Sequence, residues 1–313
     1  MRRAVVDDFA SVPGVRVVAT LDARLGPGAD PPGVAVRIIT DRGPGAFEAL
    51  AAGADWTALI APETGGVLAG LARSIERAGG RSLGSGPGAI GLVGDKARLA
   101  AHLLRAGIPT PPTRVVVPAL GLPEDWGGPI VVKPVDGAGS LDTFVVRDPR
   151  RCPPGARGLA VAVAQPYLTG DPMSACFLVD RDGRATLLAV GRQRIEVDAG
   201  GRISYLGGTI PAEAGRDLAA VEAAVASVPG LRGLVGVDFL RRAGGGAVVL
   251  EINPRPTTSI VGLARLLPPG TIAGAWLAAV AGGLAGSGWP DRLRPARDGS
   301  PVSFDADGLI RPE

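Results

Sequence analysis

The segment 248–255 constrains the fold of this chain more than any other, because an apolar run ends in three regularly spaced polar side chains. Side chains two positions apart on a β-strand point to the same face, so Glu251, Asn253 and Arg255 are predicted to project together. Carboxylate and amide oxygens suit a hard divalent cation, and a guanidinium suits a phosphate. Taken alone, the segment also fits an edge strand that runs into a polar turn.

The composition is typical of soluble globular proteins and excludes some functions. The 313 residues suffice for two or three structural units, with 46% hydrophobic and 20% charged residues. The formal net charge is only +3 and the sequence has no long basic run. We therefore expect no nucleic-acid partner.

The few cysteine and histidine residues limit the metal and redox chemistry. Cys152 and Cys176 belong to no C-x-x-C pair and His102 is the only histidine, which excludes a disulfide framework and a His-rich zinc site. The N-terminus does not resemble a signal peptide, so a cytoplasmic location is expected. The uncharged segment 270–286 is short for a bilayer span and predicts a buried helix, so we expect no membrane partner.

The first 90 residues alternate between predicted helices and strands, which indicates a small parallel sheet with flanking helices. Helices are predicted over residues 3–9, 46–52 and 65–78, and strands over residues 14–21, 33–39 and 56–61. A unit of this kind usually begins with a strand, whereas this one begins with a helix. Either the first strand is absent or the start lies upstream of Met1.

Two segments near the end of this unit bear on its function and its limits. The loop 62–64 follows a predicted strand and precedes a helix, the position where open α/β sheets bind ligands. Glu63 could hold a substrate amine there, or it could complement the positive N-terminus of the helix. The Gly/Pro/Ser-rich segment 84–91 is predicted to be a linker.

Two lysines occupy positions that suit a phosphate. Lys96 follows Asp95 in the first turn of a predicted amphipathic helix, where its charge opposes the helix dipole unless an anion is present. Lys133 lies on the apolar strand 130–134, where a buried cation needs a partner. The glycine-rich loop 135–140 follows, and its backbone N–H groups could approach phosphate oxygens.

The second half of the chain is rich in predicted strands, over residues 161–168, 174–179, 185–190 and 234–240. Asp238 lies among apolar neighbours on the last of these, and a lone buried carboxylate is costly unless it is paired or binds a metal. If its strand is antiparallel to the strand that ends at Asn253, then Asp238, Glu251 and Asn253 form an oxygen-ligand set for Mg²⁺.

In this order, the motifs resemble those of the ATP-grasp superfamily. They are Asp95-Lys96, Val132-Lys133-Pro134 with the loop 137–140, the segment 164–170, Asp238, and Glu251-Ile252-Asn253-Pro254-Arg255. The resemblance implies a fold of α/β and α+β class. It comprises a small parallel α/β (pre-ATP-grasp) domain over 1–90, a lid subdomain over 91–165, and a C-terminal subdomain with the metal site over 166–313.

The resemblance also implies roles for individual residues. Phosphate contacts fall to Lys96 and Lys133, with Gly137, Gly139 and Ser140 in the loop that covers the phosphates. Adenine contacts fall to Gln165, Tyr167 and Leu168, one or two Mg²⁺ ions (or Mn²⁺) to Asp238, Glu251 and Asn253, and catalytic roles to Arg255 and Arg194. Gln165 departs from the acidic residue that relatives often carry, and Asp171 is an ambiguous ribose ligand.

The activity implied is that of a ligase that joins a small carboxylate to an amine through an acyl phosphate, with release of ADP and phosphate. The segment 255–259 and the loop 62–64 look like those of the tyramine-glutamate ligases of methanofuran biosynthesis and their methylotroph relatives. That likeness implies glutamate and a tyramine-like amine as substrates. A carboxylase, a kinase and a non-catalytic nucleotide-binding module are alternatives, and a homodimer is left open.

Overall fold

The computed structural model describes residues 1–22, 33–39, 44–137, 139–213, 218–284, 288–293 and 300–311. The N-terminal part contains two parallel strands and three helices, in chain order α1 Arg2–Ala10, β1 Val18–Asp22, β2 Ala35–Ile39, α2 Pro44–Gly53 and α3 Val67–Arg77. The predicted helices and first two strands are thus present, although β1 begins four residues later than expected. Residues Thr64–Gly66 form a 3-10 turn ahead of α3.

Helix α1 is anchored to the C-terminal part of the chain. The Asp8 carboxylate accepts hydrogen bonds from Gly270 N at 2.7 Å and Ala273 N at 2.6 Å, at the start of a later helix. It thereby provides acceptors for two of the N–H groups that a helix N-terminus leaves without partners. Burial raises the pKa of Asp8, and the three backbone hydrogen bonds to the carboxylate partly offset that rise.

The prediction of a strand over residues 56–61 is wrong. This segment forms one isolated bridge, in which Thr57 pairs with Ser82. Thr57 donates to Arg81 O at 2.8 Å and accepts from Leu83 N at 2.9 Å. Its neighbours pack against hydrophobic side chains instead of joining a ladder, so an apolar run alone did not specify a strand.

The prediction of a linker over residues 84–91 is also wrong. The segment contains the start of helix α4, Pro87–Val93, with proline at its first position. Ala89, Ile90 and Val93 are at most 5% exposed and belong to the hydrophobic cores on either side. Proline is favourable at the first turn of a helix, and tertiary packing outweighs the low helix propensity of the glycines.

The middle of the chain forms a four-stranded antiparallel sheet in the order β3-β6-β4-β5. Its elements are α5 Lys96–Arg105, β3 Arg114–Val116, β4 Ile130–Pro134, β5 Phe144–Val146, α6 Pro154–Arg157 and β6 Ala162–Pro166. Asp95 caps α5 by accepting from Ala97 N and Arg98 N, both at 3.0 Å. Lys96 is therefore the first residue of the helix.

The last part of the chain forms a six-stranded antiparallel sheet in the order β11-β10-β7-β8-β9-β12. Its elements are β7 Asp171–Val179, β8 Ala185–Val197, β9 Ile203–Ile210, α7 Ala219–Ala226, β10 Gly233–Arg241, β11 Ala247–Asn253, α8 Ser259–Leu266, α9 Thr271–Ala281, α10 Trp289–Arg292 and β12 Val302–Asp305. Side chains alternate between two cores: Phe177 faces α7, whereas Leu178 faces α8 and α9.

The helix predicted over residues 270–286 is present as α9, and its Trp276 is only 1% exposed. Within the described part of the chain, no single helix is long and apolar enough to cross a bilayer, and α8 and α9 meet that length only as a pair bent by 108°.

The two sheets are joined at the turn between β8 and β9. Val145 N donates to Gly201 O at 2.7 Å, and Ile203 N donates to Thr143 O at 2.8 Å. Arg202 adds an ion pair with Asp142 at 3.1 Å. These contacts hold the four-stranded sheet over the face of the six-stranded sheet, and a cavity lies between them.

Candidate functional site

The cavity between the sheets has a volume of about 550 Å³. It brings together all of the predicted site residues except Arg194, although they come from four strands and four loops or helix ends. Those that line it are Lys96, Lys133, Gly137, Gly139, Ser140, Gln165, Tyr167, Leu168, Asp238, Glu251, Asn253 and Arg255. The volume is within the range of small-ligand pockets.

Two carboxylates face each other on neighbouring strands. Asp238 on β10 is the register partner of Glu251 on the antiparallel β11. The Asp238 carboxylate accepts from Gln193 Nε2 at 2.8 Å and from Asn253 Nδ2 at 3.2 Å. Burial, together with the charge of Glu251, raises the pKa of Asp238 to about 7. The pair is therefore poised to gain a cation.

Arg194 does not reach the cavity. Gln193 lines it, and successive side chains on a strand point to opposite faces. The Arg194 guanidinium donates instead to Leu206 O at 2.9 Å, Phe304 O at 3.0 Å and Asp305 Oδ1 at 2.9 Å. These bonds connect β8 to β9 and β12, so Arg194 stabilises the sheet from outside the cavity. Its neighbour Gln193 lines the cavity instead.

Lys96 and Lys133 lie close to the two carboxylates. Lys96 Nζ lies 3.2 Å from Glu251 Oε1 and also donates to Gly137 O. Lys133 is buried, and desolvation lowers its pKa to about 8. The negative charge of Glu251 partly offsets this fall in the pKa. A phosphate beside Lys133 would supply the counter-charge that favours its protonated form.

The loop after β4 adopts unusual backbone angles. Gly139 and Ser140 both adopt positive φ angles, +68° and +59°, in the left-handed region. A residue other than glycine rarely adopts this conformation, so Ser140 reflects a constraint that the loop imposes. Ala138 lies outside the described residues.

The predicted adenine end of the cavity is formed by β6 and the residues after it. Gln165 is buried, and its Nε2 donates to Thr113 Oγ1 at 2.8 Å. Tyr167 is 43% exposed at the rim. Asp171 is not among the lining residues; its carboxylate bonds Arg241 Nη2 at 2.7 Å, and this contact lowers its pKa.

The cavity lining also contains two polar side chains that the sequence did not single out. Ser174 on β7 is the register partner of Asp238, and Tyr205 on β9 is the register partner of Ile195. Burial raises the pKa of the Tyr205 phenol, and the charge of Asp238 raises it further. A serine and a tyrosine on predicted strands carry no local signal, so only the sheet order reveals them.

Arg255 lines the cavity and contacts the N-terminal unit. Its Nη2 donates to Glu63 Oε2 at 3.0 Å, and its Nε lies 2.9 Å from Glu63 Oε1. The second contact is an ion pair without a hydrogen bond, because the Nε–H of Arg255 is not directed at Glu63 Oε1. Glu63 itself does not line the cavity, so the structure gives no support to a direct contact with a substrate amine.

Family models match almost the whole of this arrangement. The model of the ATP-grasp domain matches residues 93–259, and that of the pre ATP-grasp 3 domain matches residues 15–90. The chain belongs to the ATP-grasp family. The mixed α/β fold expected from the motifs is thereby confirmed, with the cavity inside the ATP-grasp domain match.

Solved structures share the ATP-grasp fold at low sequence identity. The L-amino acid ligase from Bacillus licheniformis has a TM-score of 0.74 and 16% identity, over 96% of this chain and 76% of that one. The D-alanine–D-alanine ligase from Bacillus anthracis has a TM-score of 0.61 and 16% identity, over 84% and 96%.

A third match is the biotin carboxylase domain of 2-oxoglutarate carboxylase from Hydrogenobacter thermophilus, crystallised with ADP, its magnesium salt and bicarbonate. Its TM-score is 0.71 at 18% identity, over 90% of this chain and 68% of that one. No curated protein sequence matches the chain. The closer likeness to tyramine-glutamate ligases therefore stays a prediction.

The donor set of this ATP-grasp cavity suits a hard divalent cation such as Mg²⁺. Asp238 and Glu251 offer carboxylate oxygens and Asn253 an amide oxygen, which are ligands that Mg²⁺ accepts. The mutual repulsion of the two carboxylates contributes to the raised pKa of Asp238, and a bound cation would remove it. The third member of this set, Asn253, is an amide. The described residues contain no cluster of three His, Cys, Asp or Glu side chains.

Proposed function

We propose that this ATP-grasp protein is an ATP-dependent ligase that joins a small carboxylate to an amine. The observation that carries the proposal is the single cavity in which Asp238 and Glu251 lie close to Lys96 and Lys133, with Arg255 also in the lining. Carboxylates for a metal and cations for phosphates are what phosphoryl transfer requires. The proposed chemistry requires no serine, cysteine or histidine nucleophile.

Two of the similar structures are named as ligases of amino acids, which supports carbon–nitrogen bond formation over other ATP-grasp reactions. The third is a carboxylase domain, so a carboxylase is the main competitor. We further propose the domain limits expected from the sequence: residues 1–90 as the pre-ATP-grasp domain, 91–165 as the lid and 166–313 as the C-terminal subdomain.

The proposed reaction has two steps. An oxygen of the substrate carboxylate attacks the γ-phosphorus of ATP, the bond to the β-phosphate oxygen breaks, and ADP leaves. The amine nitrogen then attacks the acyl carbon, phosphate departs with the bonding electron pair, and the nitrogen loses a proton to give the amide. Both steps depend on positioning and on neutralising negative charge.

The residues of the chain divide this work. Lys96, Lys133 and the loop 137–140 hold the phosphates, and the backbone near Gln165 and Leu168 holds the adenine. Asp238, Glu251 and Asn253 would hold one or two Mg²⁺ ions, which supply charge neutralisation when bound. Arg255 stabilises the transferring phosphoryl group as its charge spreads over the oxygens. Arg194 has no part in the proposal.

The substrates proposed are glutamate and a tyramine-like amine in a pathway to a methanofuran-like one-carbon cofactor, by likeness to the tyramine-glutamate ligases. The support is the segment 255–259, of which Thr257, Thr258 and Ser259 line the cavity beside Arg255. A cytoplasmic location is proposed on a different basis, since Cys152 and Cys176 form no disulfide framework.

The test is ADP release in the presence of Mg²⁺ and a panel of amino acids and amines, with mass analysis of the products. A ligase requires both partners and yields their condensed mass. Bicarbonate-dependent release indicates a carboxylase, and a phosphorylated product without an amide indicates a kinase. Nucleotide binding without release under any condition supports a non-catalytic module.

Two variants connect the activity to the cavity. Glu251→Gln and Asn253→Ala should each abolish turnover, because the first removes the negative charge of one ligand of the proposed metal and the second removes a ligand oxygen. Glu196→Gln is the matched control, since Glu196 is exposed on β8. Wild-type ATP consumption by either cavity variant would contradict the metal assignment.

A further inference from the structure

The contact between Glu63 and Arg255 joins residues that lie 192 positions apart and belong to different domain matches. We infer that Glu63 is a positioning residue for Arg255: it orients the guanidinium toward the nucleotide and keeps it away from the two metal-ligand carboxylates. The inference rests on the role proposed above for Arg255 at the transferring phosphoryl group.

The contact is buried and involves two atoms on each side chain. The side chains of Arg255 and Glu63 are 14% and 6% exposed, and their two contacts measure 2.9 and 3.0 Å. Glu63 Oε1 and Arg255 Nε are buried and make no hydrogen bond to any described residue. Each group therefore depends on the other, since a buried charge without its partner is costly.

The loop that carries Glu63 is held on several sides. Gly66 N donates to Glu63 O at 3.0 Å, and Gly65 N donates to Asp136 Oδ2 at 2.8 Å. A Cβ atom on Gly94 would lie 2.9 Å from Ile90 O and 3.4 Å from Glu63 Cβ. The loop is thus fixed against the start of the ATP-grasp domain, which makes Glu63 a rigid anchor.

The geometry divides the donors of Arg255 between two sides. Nε and Nη2 face Glu63, whereas Nη1 donates to Pro256 O at 3.3 Å and lies on the other side. The charge of Arg255 already acts on Asp238 and lowers its pKa. Without Glu63, Arg255 would still interact with the proposed metal ligand Asp238, and a direct ion pair between them would compete with the cation.

The experiment compares two nucleotides, because a contact to the γ-phosphate affects only one of them. Affinities for ADP and for a non-hydrolysable ATP analogue, both with Mg²⁺, are measured for wild type, Glu63→Gln, Arg255→Lys and the double variant. Glu48→Gln is the matched control, since Glu48 pairs with Arg77 at 3.1 Å on the surface of the same N-terminal unit.

Glu63→Gln should weaken binding of the analogue about tenfold, the size expected when one charged hydrogen-bond partner is lost. Its affinity for ADP should change less than about twofold. The double variant should bind the analogue no more weakly than Arg255→Lys alone, because Glu63 acts through Arg255. Glu48→Gln should match wild type for both nucleotides.

Equal losses for ADP and the analogue would overturn the inference, because they would indicate a general structural role. An additional loss in the double variant would overturn it as well. If Glu63→Gln does not fold, Glu63→Asp keeps the charge but shortens its reach, and the same selective loss is expected. A wild-type protein that binds both nucleotides yet releases no ADP with any substrate would refute the ligase proposal. The binding comparison would still test the role of Glu63, because it does not depend on turnover.

Discussion

Replacement of Asp238 by asparagine is expected to stabilise the metal-free protein at pH 8 while it abolishes ATP turnover. The pKa of Asp238 rises from 3.8 to about 7 on folding, chiefly through burial. Each pKa unit corresponds to about 1.4 kcal/mol, so ionised Asp238 opposes folding by up to about 4 kcal/mol.

Two effects reduce the gain that the asparagine variant would show. Asp238 lines an open cavity, where water screens part of the cost. Asparagine can also accept only one of the two hydrogen bonds that Gln193 and Asn253 now donate, at a loss of about 1 kcal/mol. A net stabilisation of about 2 kcal/mol at pH 8 remains.

The pH dependence gives this prediction its sign. Below pH 3.8 the carboxyl is protonated in both the folded and the unfolded chain, so it imposes no cost. Between pH 3.8 and about 7 the unfolded chain loses this proton while the folded protein retains it, so the cost grows with pH. Above about pH 7 the cost is constant. The advantage of the variant should therefore be present at pH 8 and largely lost at pH 5.

The assay is urea unfolding of wild type and Asp238→Asn at pH 5 and pH 8, with a chelator present. Asp307→Asn is the control, since Asp307 is exposed. Addition of Mg²⁺ should then stabilise wild type more than the variant, because the variant lacks the negative charge of one proposed ligand. A variant that is less stable than wild type at pH 8, or that differs from it equally at both pH values, would refute the reasoning.

Three further predictions concern the cavity walls. Gly201→Ala should raise the KM for ATP at least about threefold, because its Cβ would lie 2.2 Å from Val145 O in the contact that joins the two sheets. Gly183→Ala, at nearly the same φ angle but in open space, should leave this KM unchanged. Equal KM values for the two variants would contradict the prediction. The KM for ATP should rise between pH 7 and 9 as Lys133, with its pKa near 8, loses its charge, and the rise should disappear in Lys133→Arg; a rise that persists would assign it elsewhere. Arg194→Ala should lower the melting temperature but change kcat/KM less than about threefold, since Arg194 bonds neighbouring strands outside the cavity; a large kcat loss in a folded variant would restore its catalytic role.

Much of the cavity could be anticipated from local patterns. The two-residue period of a strand places Glu251 and Asn253 on one face, and the short connection between β10 and β11 makes those strands antiparallel neighbours. Asp238 then falls opposite Glu251. Lys133 and the glycine-rich loop after it follow from a charge on an apolar strand and from residues suited to unusual backbone angles.

Local patterns failed where packing decided the outcome. The glycine-rich segment that contains helix Pro87–Val93 reads as a linker, yet its apolar side chains complete two hydrophobic cores. Residues 56–61 read as a strand, yet Thr57 is their only bridged residue. In both cases the stabilising contacts are made with distant parts of the chain, and propensity is a weak prior beside them.

Local patterns were therefore enough to select most of the residues that line the cavity, because spacing along a strand is a local property and the motifs occur in the order of the ATP-grasp family. Which side chains meet depends on how the sheets and loops pack. Gln193 faces the cavity and Arg194 does not because of the way β8 lies in the six-stranded sheet. Glu63 meets Arg255 across 192 positions because the N-terminal unit docks against the end of β11, and no local pattern encodes a contact between such distant residues.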